Sequence, residues 1–103
     1  MVNITQSIKQ TGDAEFTVFM DVDGVQVKDI YTRSNAIFPA YHSLAGVLRE
    51  LRDTTVHVVT NSAVMAREFN VLPNRHSRHL QELKDTVARR GIMLTIEQEQ
   101  LQP

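Results

Sequence analysis

The apolar residues of this chain keep a period of two as far as Tyr31 and then change to a period of three to four. That change limits the fold more than any other feature, because side chains alternate faces along a strand but return every 3.6 residues along a helix. Val2-Asn3-Ile4-Thr5-Gln6-Ser7-Ile8 alternates apolar with polar residues. After the turn signal Gly12-Asp13, the run Glu15 to Val22 places Phe16, Val18, Met20 and Val22 on one face. Asp23-Gly24 separates that run from Val25 to Tyr31, and an Asp-Gly pair between alternating segments signals a hairpin. Three strands in an antiparallel meander are the expected opening.

From there the pattern is helical. Ser34 or Asn35 can cap a helix, Pro39 suits its first turn, and Tyr41, Leu44, Ala45, Leu48 and Leu51 form an apolar stripe. Val56-His57-Val58-Val59 reads as a short buried strand ended by Thr60-Asn61-Ser62. Asn61 and Ser62 can cap a second helix running to about Phe69, and Leu72-Pro73-Asn74 breaks it. Leu80, Leu83 and Val87 stripe a third helix, closed by Gly91. Ile92, Leu94 and Ile96 form the last strand, before a polar tail over 97–103. The order β-β-β-α-β-α-α-β predicts an α/β fold with one mixed sheet: three antiparallel strands, then parallel additions, with helices packed against it. With 103 residues there is room for a single domain over 1–103.

Charge and composition exclude several function classes. Eleven Lys plus Arg against twelve Asp plus Glu leave a net charge of −1, which argues against a strong, sequence-independent grip on nucleic acid. Without cysteine there is neither a disulfide frame nor a thiolate metal site. No apolar run approaches membrane-spanning length and no charged-then-apolar leader opens the chain, so a soluble, cytoplasmic protein without membrane contact is expected.

The element order and spacing resemble the ribonuclease H family over nearly the whole chain. Ile4-Thr5-Gln6-Ser7 stands where that family's opening strand carries an Asp-Gly-Ser type signature. Ala40-Tyr41-His42-Ser43-Leu44-Ala45-Gly46-Val47-Leu48 stands where its first helix carries a Glu. Thr60-Asn61-Ser62 replaces its Thr-Asp-Ser. The resemblance implies two divalent cations held by clustered carboxylates against a phosphodiester. Here those carboxylates become Gln6 (or Thr5), Ala40 and Asn61, and the fourth would lie in a helix beyond the final strand. Neutral amides and methyls cannot replace several anionic ligands of a hard cation. The resemblance therefore implies a catalytically inactive binding or assembly module with no metal and no cofactor. A stand-alone domain of this kind would suit a viral or mobile-element origin.

A second resemblance is local. Val18-Phe19-Met20-Asp21-Val22-Asp23-Gly24 resembles the opening motif of haloacid dehalogenase-like phosphatases, and Val58-Val59-Thr60-Asn61 their second motif. It implies Asp21 as nucleophile, Asp23 as general acid/base, Thr60 on the phosphate, and Mg²⁺ as cofactor. Against it, the chain after Ile96 offers only Glu97 and Glu99 as further carboxylates.

Two other features carry chemistry. Arg67 to Arg90 holds six Lys or Arg against three acids. Arg67, Arg75, Arg78 and Lys84 are the candidates for phosphate contact, with a solvated helix face as the plainer reading. Among the four histidines, His76 and His79 share a helical spacing, but nothing in the sequence brings in His42 or His57, so no zinc site is expected. A protein partner or self-association is the expected use of the domain, with nucleic acid the other possibility.

Overall fold

The computed structural model describes residues 1–71 and 77–99. The chain runs β1 (Val2–Gly12), β2 (Glu15–Val22), β3 (Val25–Tyr31), α1 (Ile37–Leu48), β4 (Thr55–Thr60), α2 (Ala63–Val71), α3 (Arg78–Arg90) and β5 (Met93–Gln98). The strands form one five-stranded sheet in the order β3-β2-β1-β4-β5. β1, β2 and β3 pair antiparallel, while β4 joins β1 and β5 joins β4 in parallel. The expected order and mixed sheet are therefore the ones found.

The hairpin between β2 and β3 follows from Asp23-Gly24, whose φ angles of 49° and 91° suit the tight turn that Asp and Gly tolerate. Its tip is pinned to β1: Asp23 N donates to Asn3 O at 2.9 Å, and Asp23 Oδ1 accepts from Asn3 N at 2.8 Å. At the preceding turn the left-handed residue is Ala14, with φ 53°, and not Gly12.

Helix ends match the cap residues. Asn35 Oδ1 accepts from Ile37 N and Phe38 N, opening α1. Ser62 caps α2 through Met65 N, and Ser77 caps α3 through Leu80 N. Gly91 closes α3 at φ 65°, where an added Cβ would lie 2.5 Å from Asp53 Oδ1. The break expected at Leu72-Pro73-Asn74 lies outside the described residues. β5 begins one residue after Ile92 and continues through Glu97 and Gln98, so the polar tail starts later than its composition suggests.

One face of the sheet carries the core. Ile4, Val18, Val56, Val58 and Ile96 meet Leu44 and Leu48 of α1, Met65 of α2, and Leu80 and Leu83 of α3, all essentially buried. All three helices thus contribute to one layer on one face. The opposite face presents Thr5, Phe19, Lys28, His57 and Thr95, as the alternation of partners across the strands requires.

Candidate functional site

Parallel pairing of β1 with β4 sets Gln6 beside Thr60, and α1 crosses above them. Gln6 is 3% exposed, a position where a polar side chain needs a partner for every hydrogen-bonding atom. It has them. Its Nε2 donates to Ala40 O and to Ser43 Oγ, each at 2.9 Å, and its Oε1 accepts from Thr60 Oγ1 at 2.6 Å. Thr60 Oγ1 in turn accepts from Ser62 N at 3.1 Å. Among the described residues no buried side-chain nitrogen or oxygen is left without a partner.

Asn61 does a different job one residue on. Its Oδ1 accepts from Ile8 N at 2.8 Å and its Nδ2 donates to Ile8 O at 3.0 Å. The side-chain amide thereby imitates a strand residue and continues the β1–β4 ladder past the end of β4. A carboxylate has acceptors only and would face Ile8 O without a proton between them. The amide suits both partners.

Gln6, Ala40 and Asn61, the positions singled out in the sequence, come together at one end of the sheet, whereas Thr5 faces the opposite side. Gln6 binds the carbonyl of Ala40 directly, and Asn61 N donates to Gln6 O at 3.2 Å.

No family model matches this chain, and no curated protein matches it in sequence. Solved structures do. The LC11 RNase H1, solved in complex with an RNA/DNA hybrid, superposes with a TM-score of 0.67 over 96% of this chain and 85% of its own, at 14% sequence identity. The chain has a ribonuclease H-like fold. At that identity the likeness concerns the fold, and the chemistry must be read from the residues present.

These residues do not fit a pair of divalent cations. Hard cations take anionic oxygens, whereas Gln6 turns both amide protons to Ala40 and Ser43 and gives its only oxygen to Thr60. Ala40 contributes a methyl group at 0% exposure, and the amide oxygen and nitrogen of Asn61 are both held by Ile8. Among the described residues no three His, Asp or Glu side chains lie close enough to share an ion.

The positions of the phosphatase reading separate. Thr60 opposes Gln6, and Gln6 opposes Met20, so Thr60 and Met20 share the core face. Asp21, next along β2, faces the other side of the sheet. β2 is also antiparallel to β1, which lies between β2 and β4, so Asp21 and Thr60 stand on strands that are not neighbours. Asp21 instead accepts from Gly24 N and Gln26 Nε2, Asp23 accepts from Asn3 N, and both serve the hairpin.

Of the basic candidates, Arg67 is exposed on α2, and Arg78 at the start of α3 pairs with Glu82 at 3.4 Å. The Lys84 ammonium lies 5.8 Å over the Phe69 ring, bridging α3 to α2. Arg75 lies outside the described residues, as does His76.

One grouping had no pair-level signal in the sequence. His42 and His79, from different helices, both flank Phe38, the first stacked at 5.0 Å and the second edge-on at 5.8 Å. Tyr41 stacks on His79 and donates its hydroxyl to Glu68, which also accepts from Ser77 Oγ at 3.2 Å. Burial first, and then the bond to Glu68, push the Tyr41 hydroxyl well above its ordinary value of 10.0. Tyr31 is shifted the same way, by burial and then by Asp29.

The folded state thus keeps two phenol protons that the unfolded chain releases near pH 10. Their contribution is complete below that pH and is lost as pH rises above it. Tyr41→Phe should cost about 1 kcal/mol at pH 7, and its stability should fall less steeply than the parent's above pH 10. Denaturant melts between pH 7 and 11.5 check this, and parallel slopes would remove Tyr41 from the account.

Proposed function

We propose that this chain is a ribonuclease H-like domain without two-metal hydrolysis, used as a binding module. One observation carries the reading. The place of the first expected carboxylate is taken by Gln6, every hydrogen-bonding atom of which is committed inside the fold. An enzyme needs uncommitted groups at the reacting atoms, and this position has none to offer.

A protein partner suits the surface better than nucleic acid does. Arg78 is already paired with Glu82, and the chain carries a net charge of −1, short of the many uncompensated cations that a phosphate backbone calls for. The nucleic-acid reading is kept because the LC11 RNase H1 was solved on an RNA/DNA hybrid. A hybrid gripped through Arg67, Arg78 and Lys84 should lose about 40-fold in affinity between roughly 50 and 200 mM salt, the slope that about three phosphate contacts give.

The test is incubation of a labelled RNA/DNA hybrid with the full chain in Mg²⁺ or Mn²⁺, beside paramagnetic broadening by Mn²⁺ followed residue by residue. No cleavage and no localised broadening are expected. Hybrid cleavage that depends on the metal and follows the chain through two unrelated purifications would end the proposal. Localised broadening at Gln6 and Asn61 would do the same.

A further inference from the structure

β3 is the last strand on its side of the sheet, so one row of its backbone N–H and C=O groups meets no strand among the described residues. Beneath that edge, β3 and α1 diverge and leave an open groove of about 680 Å³. Val22, Val27 and Tyr31 form one wall, and His42, Gly46 and Val47 of α1 form the other. Val25, at the mouth, is 65% exposed. The charged residues lining the groove are Asp29 and Glu50, and neither Lys nor Arg lines it.

Gly46 is the telling residue. It stands in the last turn of α1, where glycine weakens a helix by roughly 0.5–1 kcal/mol relative to alanine. Its φ is not positive, and an added Cβ would meet nothing within 4 Å. Neither backbone conformation nor close packing calls for glycine here. What glycine does is keep the helix wall of the groove low.

We propose that this groove takes an extended peptide segment of a protein partner, added along the free edge of β3 as a sixth strand. Alternate apolar side chains of the segment enter the groove, and a Lys or Arg among them meets Asp29 and Glu50. An edge strand supplies main-chain hydrogen bonds, while a pocket under every second residue supplies selectivity. The seven residues of β3 offer roughly 23 Å of edge, enough for a segment of similar length. Lys28 projects to the opposite face, 5.8 Å over the Phe19 ring, and stays clear of the groove. A second copy is the poorer occupant, because a two-fold contact would gather two Asp29 and two Glu50 with no cation. The inference rests on the chain being a binding module and gives that partner's chemistry.

The experiment pans displayed random nonapeptides on the immobilised full chain and, in parallel, on Gly46→Leu, which melts no lower than the parent if the helix accepts it. Peptides alternating apolar residues with one Lys or Arg should be enriched. A synthetic copy of one should bind Gly46→Leu at least tenfold more weakly and slow hydrogen exchange at amides of Val25–Tyr31. Asp29→Asn should weaken that peptide and leave its norleucine analogue unchanged.

No enrichment over bare matrix, or binders indifferent to Gly46→Leu, would overturn the proposal. So would a concentration-dependent dimer that Gly46→Leu dissociates, since the groove would then be a contact between copies. Hybrid cleavage, run on both proteins alongside, separates the two readings. Cleavage would sink the module reading and leave a selected peptide standing, whereas failed selection with no cleavage would sink only the groove.

Discussion

Gln6→Glu is expected to destabilise the protein by about 3–5 kcal/mol at pH 7, the effect of leaving one unpaired charge in an interior. The substitution changes no volume and keeps the oxygen that Thr60 donates to. It removes the two N–H groups that serve Ala40 O and Ser43 Oγ, and it places a carboxylate at a 3%-exposed position. For a domain of this size the melting temperature should fall by roughly 12–40 °C. Burial disfavours the charged form, so the new carboxyl holds its proton to higher pH in the folded state than in the unfolded one. The variant should therefore come nearest to the parent below about pH 4 and worsen as pH rises. Gln10→Glu adds the same charge at an exposed position of the same strand and should shift stability by less than about 0.5 kcal/mol. Thermal melts of both variants at pH 4 and pH 7 decide the matter. A Gln6→Glu melt within about 4 °C of the parent at pH 7 would mean the network holds nothing together.

That network shows how far the sequence could be read. The strands were legible because alternation in Val2–Ile8 and Phe16–Val22 is a local property, and Asp23-Gly24 has few backbone conformations that suit it. Gly91 was legible for the same reason. Gln6, Ala40 and Asn61 could be set against a family pattern. Their use could not be read. Gln6 meets Ala40, 34 residues away, and Thr60, 54 residues away, only because β1 and β4 pair in one particular parallel register. A one-residue slip would turn Gln6 to the other face, and no short-range signal sets the register.

The phosphatase motif turns on long-range order in the same way. Asp21-Val22-Asp23-Gly24 is a good local match, but the chemistry it implies needs Asp21 and Thr60 at one phosphate. The meander puts β1 between them and turns Asp21 away from the core. The hairpin and the catalytic motif use the same residue types, and only the strand order tells them apart. The β3–α1 groove left one trace, a glycine inside an otherwise regular helical stripe, which has no meaning until the facing strand is known.

Ala40→Glu should have the largest effect of all, because it asks the helix to supply the carboxylate that the resemblance expects there. Ala40 is 0% exposed, and its carbonyl already receives the Gln6 amide. A longer side chain in a filled core costs about 1–3 kcal/mol, and an unpaired buried charge about 3–5 kcal/mol. The sum, about 4–8 kcal/mol, rivals the whole stability of roughly 5–15 kcal/mol that a domain of this length holds. The expected outcome is a chain with no cooperative melt at pH 7, while Ala40→Ser stays folded within about 2 kcal/mol of the parent. Divalent metal should not rescue it, because a cation recruited by one new carboxylate would find only the amides of Gln6 and Asn61, already engaged by Ser43, Thr60 and Ile8. Circular dichroism melts of Ala40→Glu in about 10 mM Mn²⁺, and in NaCl of equal ionic strength, test both halves of the argument. A cooperative melt that returns in Mn²⁺ alone would mean that the end of the sheet still has the shape of a metal site, and the binding-module reading would have to give way to a dormant nuclease.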